Sequence, residues 1–219
     1  FKNDIMYKEK TDIMKINYNL GMEKIIKNLT NKPNLLLHAC CGVCSSAVLE
    51  RLNSYFNITI LFYNPNIYPM EEYMKRLNTQ KEIIEKLGVN VKLLEIGYNN
   101  KEFEEIAKGL ENEQEGGPRC SKCYYLRLEK TAKLARERKY DYFCTTLSIS
   151  PYKNAEKLNK IGKILEEKYQ IKYLYSDFKK KDGYKRSTEL AKEYNLYRQN
   201  YCGCKYSLIE AKEKLFQSA

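Results

Sequence analysis

A continuous apolar run, Leu35-Leu36-Leu37-His38-Ala39, ends directly on a pair of cysteines, Cys40-Cys41, and few folds accommodate that join. A strand without polar alternation is buried on both faces, the condition of a strand inside a parallel sheet covered by helices. In such sheets ligands bind outside the carboxyl ends of the strands. The cysteine pair therefore stands where a nucleotide-binding protein keeps its phosphate loop, but it brings sulfur and one glycine, Gly42.

The rest of the chain repeats the alternation of strand and helix. Strands are predicted at 58–62, 89–96, 140–146 and 171–175, and helices near 45–52, 70–87, 101–110, 121–138 and 154–169. The helix over 70–87 is marked by Pro69 at its first turn, Gly88 just past its end, and Met70, Tyr73, Met74, Leu77, Ile84 and Leu87 on one face. Ser45 or Ser46 is expected to cap the first helix. Helical crossovers between strands imply right-handed parallel connections. The expected fold class is α/β, a three-layer, Rossmann-like parallel sheet of about five strands with flanking helices, in a single domain over 1–219. Residues 1–31 read as a helical N-terminal extension, with Ile5, Ile13, Leu20, Ile25 and Ile26 as its apolar positions. Residues 178–219 read as a Lys-rich loop, two short helices and a Cys202-Gly203-Cys204 turn.

Composition narrows the class of partner. Of the residues 43% are hydrophobic and 31% charged, within the globular range. No apolar run approaches the roughly 18 residues of a spanning helix, so no membrane partner is expected. The stretch Phe1-Lys2-Asn3-Asp4 carries no secretory h-region, and the expected location is cytoplasmic. Lys and Arg number 39 against 28 Asp and Glu, a net charge of +11, which favours a polyanionic partner and nucleic acid first. AT-rich coding would produce the same excess of Lys, alongside the Asn, Ile and Tyr that are also abundant.

Eight cysteines fall as Cys40-Cys41-x-x-Cys44, Cys120-x-x-Cys123, Cys202-x-Cys204 and a solitary Cys144. In a reducing compartment clustered thiols bind metal or perform redox work. Cys41, Cys44, Cys120 and Cys123 would satisfy a structural zinc, leaving Cys40, Cys202 and Cys204 unexplained. Cys41-Gly42-Val43-Cys44 after a strand matches a thiol–disulfide motif. A radical-SAM pattern fails at Ala47. An iron–sulfur cluster takes four thiolates, and the surplus suggests a second metal beside it or an open iron. Cys144 fits as a small apolar residue in a buried strand, and His38 as a core histidine hydrogen-bonded to its surroundings.

Several segments together resemble the cobalamin-independent epoxyqueuosine reductases of the QueH type. They are Leu37–Cys41, Tyr63-Asn64-Pro65-Asn66-Ile67, Glu115–Tyr124, Thr145–Asn154, Asp177-Phe178-Lys179-Lys180 and Tyr201-Cys202-Gly203-Cys204, in order from about 34 to 208. The resemblance implies an adenine nucleotide alpha hydrolase-like fold reworked to hold iron. It implies reduction of the epoxide of epoxyqueuosine in the tRNA anticodon loop (GUN anticodon) to queuosine. It further implies a [4Fe–4S] cluster and an additional iron ion, the latter on two cysteines and an aspartate. Cys40, Cys41, Cys120, Cys123, Cys202 and Cys204 carry over as ligands. Cys44 stands where a carboxylate would be sought, with Asp177 a second candidate.

The reaction needs an outside low-potential donor such as ferredoxin or flavodoxin. RNA would be held by basic residues and by aromatic stacking. The candidates are Tyr63, Asn64, Arg119, Tyr152, Lys153, Lys179 and Arg186; Tyr68 and Tyr124 are also placed in strand-end loops where they could stack on bases, and Lys122 flanks the second cysteine pair beside Arg119. The densest basic run is Lys179, Lys180, Lys181, Lys185 and Arg186. The rivals are an ATP-dependent tRNA sulfur-transfer enzyme on the same sheet and a zinc-stabilised nucleic-acid-binding module.

Overall fold

The structure, a computed structural model, describes residues 16–217. The earlier part of the expected N-terminal extension, with Ile5 and Ile13, lies outside the described residues. In chain order the elements are α1 (Tyr18–Lys27), β1 (Asn34–His38), α2 (Gly42–Leu52), β2 (Asn57–Phe62), α3 (Met70–Lys86), β3 (Lys92–Glu95) and α4 (Lys101–Ala107). There follow α5 (Pro118–Glu137), β4 (Tyr142–Thr145), a 3-10 turn over Thr146–Ile149, α6 (Ala155–Tyr169), β5 (Lys172–Tyr173), α7 (Gly183–Glu193) and α8 (Lys205–Gln217).

The five strands form one sheet in the order β3-β2-β1-β4-β5, and every neighbouring pair is parallel. Alternation along β1 shows both faces in use. Leu35 and Leu37 join Ile58, Ile60 and Cys144 against Val48, Leu49 and Leu52 of α2, Leu190 of α7 and Met22 of α1. Leu36, with Leu61 and Phe143, packs on Leu128 and Ala132 of α5 and on Leu158 and Leu165 of α6. The expected three-layer parallel sheet is what these residues build.

The chain winds outward from β1 to β2 and β3, then returns to place β4 on the other flank of β1. Loops leaving β1 and β4 thus diverge and open a crevice at their carboxyl ends. Cys40 and Cys41 follow β1, and the turn carrying Tyr152 and Lys153 follows β4.

Two helix starts differ from expectation. Helix α2 begins at Gly42, and its N-cap is Cys41, whose sulfur accepts the Cys44 N–H. Ser45 and Ser46 instead bond back to the carbonyls of Gly42 and Val43 at 3.0 and 2.9 Å, as serines inside a helix do. Helix α5 begins at Pro118 rather than near 121, because a proline needs no N–H partner in a first turn. Cys120 and Cys123 therefore lie on the helix itself. Gly42 is fixed by packing, since a Cβ there would lie 2.3 Å from the Thr79 carbonyl oxygen of α3. Among the described residues no helix is long and apolar enough to cross a membrane.

Candidate metal centre

Seven of the eight thiols fall into two sets, and Arg127 and Lys153 face members of both. In the first, the sulfurs of Cys40, Cys41 and Cys44 lie within 4.8 Å of one another. The sharp exit from β1 into α2 brings them together: Cys41 caps the helix, and Cys44 follows within its first turn. Cys41 Sγ accepts the Cys44 backbone N–H at 3.4 Å and the Gln199 Nε2 amide at 3.2 Å. Proximity splits their acidities. Hydrogen bonds from Cys41 and Cys44, with Lys153 and Arg127 nearby, hold the Cys40 thiol well below its ordinary value. The resulting negative charge on Cys40 pushes Cys41 up to about 12 and Cys44 well above the ordinary range. The group gives up one proton readily and resists losing more until a cation shares the charge.

The second group comprises Cys120 and Cys123 on α5 and Cys202 and Cys204 on the turn before α8. Each of Cys120, Cys123 and Cys202 feels the charge of Cys204, and Cys123 also feels Cys120 and Cys202. Burial raises all three of these thiols, Cys123 to about 12. Cys120 Sγ accepts the Gly116 N–H at 3.2 Å, and Cys204 Sγ accepts the Ser207 N–H at 3.4 Å. The N-termini of α2, α5 and α8 thus all abut these sulfurs, and their positive ends favour thiolate.

The Cys202-Gly203-Cys204 turn is held by Arg76 of α3. This buried guanidinium pairs with Glu72 at 2.7 Å and donates to the carbonyls of Cys202 at 3.0 Å and Tyr201 at 3.2 Å. Gly203 has φ +132°, and a Cβ on it would stand 3.0 Å from Arg76 Nη1. No other residue type fits that approach well.

Three cations surround the sulfurs. Arg127, fully within α5, donates Nε–H to the Cys123 carbonyl at 3.2 Å, and its charge faces Cys123, Cys40 and Cys202. Lys153 faces Cys202, Cys40, Tyr124 and Cys44. Burial works against its ammonium, but these anionic or potentially anionic groups prevail and raise its pKa above the ordinary lysine value. Arg76 faces Cys41 and Cys40 in addition to Glu72. Five of the seven thiols are buried, whereas Cys44 and Cys202 are half-exposed. Those two, with Lys153 in range of both, mark the open side of the crevice.

This donor set fits soft-metal binding. Buried cations such as Arg127 need buried anions, and the anions they face are sulfurs, which become permanent thiolates when a metal displaces their protons. Sulfur-rich sites select iron–sulfur clusters or zinc over hard cations. No carboxylate joins the group of three among the described residues; Asp177 pairs with Lys179 at 2.8 Å instead. Cys144 stands apart on β4, its sulfur 3.1 Å from the Leu174 carbonyl, and burial raises it to about 12. His38 is also occupied. Its Nε2–H donates to the Tyr63 carbonyl at 3.1 Å, leaving Nδ1 to accept from the Thr145 hydroxyl at 2.9 Å. Burial pulls its pKa down to about 3. The turn after β1 where an ATP-dependent enzyme would seat pyrophosphate is filled by thiols.

Model matching and sequence relatives agree on the family. Residues 35–210 match the family model described as epoxyqueuosine reductase QueH. The chain belongs to the epoxyqueuosine reductase QueH family. It is 43% identical over 217 residues to the epoxyqueuosine reductase QueH of Staphylococcus epidermidis, covering 95% of this chain and 90% of that one. To the protein of the same name from Staphylococcus aureus it is 42% identical, covering 90% and 85%. To that of Thermotoga maritima it is 38% identical, covering 82% and 93%.

For a QueH-family chain, the residues expected to touch RNA divide by placement. Tyr152 is 79% exposed beside Lys153, at the open side. Lys122 is exposed on α5, and a groove of about 530 Å³ runs from it past Tyr125, Asn154, Lys157 and Lys160. Lys179 lies beneath the Tyr152 turn, donating to the carbonyls of Ser148 at 3.1 Å and Lys153 at 3.5 Å. Tyr63 and Asn64 are buried: the Tyr63 hydroxyl donates to Glu102, and Asn64 Nδ2 donates to the Ala39 carbonyl at 2.9 Å. Arg119 is buried too, clamping the carbonyls of Leu110 and Glu111 at 3.1 and 2.9 Å under the ring of Tyr206. Arg186 is held by Glu50 through bonds of 2.8 and 2.7 Å, and Lys181 pairs with Glu23 at 2.6 Å. Much of the densest basic run is thereby neutralised within the protein.

Arg76, Arg127 and Gln199 were not singled out by sequence reasoning. Two of them left a trace: Glu72 and Arg76 sit at i and i+4 beside the apolar Tyr73 and Leu77, and Arg127 lies one turn after Cys123. A charge on the buried face of an amphipathic helix asks for a buried partner. Gln199 left none.

Proposed function

We propose that this chain reduces epoxyqueuosine in the anticodon loop of tRNA to queuosine with iron bound in its crevice. In this reading Cys120, Cys123, Cys202 and Cys204 hold a [4Fe–4S] cluster, and Cys40, Cys41 and Cys44 hold a separate iron, with Cys44 in the place of a carboxylate. The observation that carries it is the group of three sulfurs, Cys40, Cys41 and Cys44, within 4.8 Å of one another after β1, with Arg127 and Lys153 facing both Cys40 and Cys202.

Removing an epoxide oxygen to leave an alkene consumes two electrons and two protons and releases water. Bound iron would supply Lewis acidity toward that oxygen and one-electron transfer. The protein's own residues do the rest. Arg127, Arg76 and Lys153 offset the charge of the thiolates, so that the site stays compact while carrying several anions. Lys153, in electrostatic range of Cys44 and Cys202, keeps its ammonium charged and sets it against the charge that develops on the departing oxygen. Tyr152 offers its exposed ring to a splayed anticodon base, and Lys122 with the lysines along the α5–α6 groove meets backbone phosphates. The electrons come from an outside donor such as ferredoxin or flavodoxin, in the cytoplasm where the thiols remain reduced.

The test is conversion of epoxyqueuosine to queuosine in tRNA, followed by nucleoside mass spectrometry, with protein reconstituted anaerobically and supplied with a low-potential reductant. Turnover is expected in the native chain. Lys153→Met should lower kcat, normalised to bound iron, by roughly 10²-fold or more, the loss expected when a preorganised charge at the reacting oxygen is removed. No conversion by fully loaded native protein would overturn the reading.

A further inference from the structure

We infer that Gln199 is a positioning residue for Cys41: its side-chain amide fixes this sulfur as a metal ligand and sets its electron density. The inference rests on the reading of Cys40, Cys41 and Cys44 as a metal site. Gln199 lies in the connection from α7 to Cys202, and the fold brings it to Cys41 across 158 residues of sequence. Its Nε2 stands 3.2 Å from Cys41 Sγ. At the other end of the same amide, Oε1 is buried and has no hydrogen-bond partner among the described residues.

An amide kept for packing alone would satisfy both ends, as buried polar groups generally do. Here the hydrogen bond the side chain makes goes to sulfur. Once a metal has displaced the Cys41 proton its sulfur can only accept, and a reversed amide would then set a carbonyl oxygen against a sulfur lone pair, so the donating orientation is the one that suits a ligating thiolate. Cys41 also takes the Cys44 backbone N–H at 3.4 Å, and the Arg76 charge faces it. It is thus the anchored sulfur of its group, whereas Cys44 is half-exposed. An N–H bonded to a ligating thiolate withdraws charge from it, orients it and raises the potential of the metal it binds. Because Gln199 precedes Cys202 by three residues, the same bond ties the first thiol group to the chain segment that supplies the second.

Cobalt(II) alone, added anaerobically to the metal-stripped full chain at pH 8, reports on thiolate ligation through its sulfur-to-cobalt charge-transfer absorption, independently of turnover. Two variants are compared with the native chain: Gln199→Leu removes the donor, and Gln199→Glu keeps the shape but replaces the donor with an anion. In both, one class of bound cobalt should bind roughly 10- to 100-fold more weakly, with its charge-transfer band moved to lower energy. The loss in the Glu variant should be at least as large as in the Leu variant. Unchanged bands and affinities in both would overturn the inference. So would native behaviour of the Glu variant beside an impaired Leu variant, which would make Gln199 a space-filling residue. If the metal-site reading itself fails, the native chain shows no charge-transfer absorption with cobalt, an outcome distinct from either.

Discussion

Arg127 donates its Nε–H to the Cys123 carbonyl at 3.2 Å while its buried charge is faced by the sulfurs of Cys123, Cys40 and Cys202. A guanidinium in that position is stable only if anions are permanently present, and metal-bound thiolates are such anions. Replacing Arg127 by Gln leaves the thiolate charge uncompensated, a loss of the kind that costs roughly 3–5 kcal/mol for a buried pair. Iron per chain in anaerobically prepared protein should fall to less than half of native, with Arg127→Lys retaining more than the Gln variant. Native iron content in the Gln variant would remove the charge argument.

Cys44 offers a sharper substitution. The three sulfurs of its group lie within 4.8 Å of one another, so a carboxylate at position 44 could take the same place as a metal ligand. Cys44→Asp should keep the separate iron and at least a tenth of native turnover. Cys44→Ala should lose that iron and roughly 10²-fold or more in kcat, with sulfide content unchanged in both. Equal loss in the two variants would mean that Cys44 contributes something other than a ligand.

How far the sequence carried depends on whether a feature is local. The buried strands were legible because Leu35–Leu37 is a continuous apolar run and Ile58–Phe62 is rich in β-branched residues, and the thiol pairs because their spacing is short. What escaped was assembled across the chain. Arg76 meets the Cys202 carbonyl over 126 residues and Gln199 meets Cys41 over 158, distances at which no motif survives. Exposure was the other blind spot. Tyr63, Asn64 and Arg119 occupy motif segments, which suggested substrate contacts, but the turns after β1 and β2 and the clamp beneath α8 absorb their side chains. Ser45 looked like a cap because serine usually is one, and a cysteine sulfur took the position instead.

Gly42 tests the packing that brings α2 against α3. A Cβ there would meet the Thr79 carbonyl oxygen at 2.3 Å and the carbonyl carbon at 2.6 Å, both rigid backbone atoms. Gly42→Ala should destabilise the fold by about 3 kcal/mol, at the upper end of overpacking penalties, and displace the adjacent Cys41. Urea unfolding at a fixed metal load measures it, as a lower midpoint with an unchanged slope.

His38 gives the chain an acid limit. Burial pulls its pKa from 6.5 down to about 3, so in the fold it stays neutral where the unfolded chain would be protonated. The unfolded state binds the extra proton throughout the window between 6.5 and about 3, so stability falls as pH is lowered through that window. The full loss is roughly 5 kcal/mol at the acid end. His38→Gln, which retains a neutral donor and acceptor for Tyr63 and Thr145, should lack this component. Comparing the unfolding free energies of native and variant protein at pH 7 and pH 5 checks it: the difference between them should change with pH in favour of the variant, and a constant difference would contradict it.

Seven cysteine sulfurs are proposed to hold a cluster and a separate iron. Iron, zinc and acid-labile sulfide per chain, determined on protein prepared without air, test it most directly. About four sulfides and about five irons are expected, one cluster and one further ion. A single zinc with no sulfide, unchanged after anaerobic reconstitution with iron and sulfide, would contradict it.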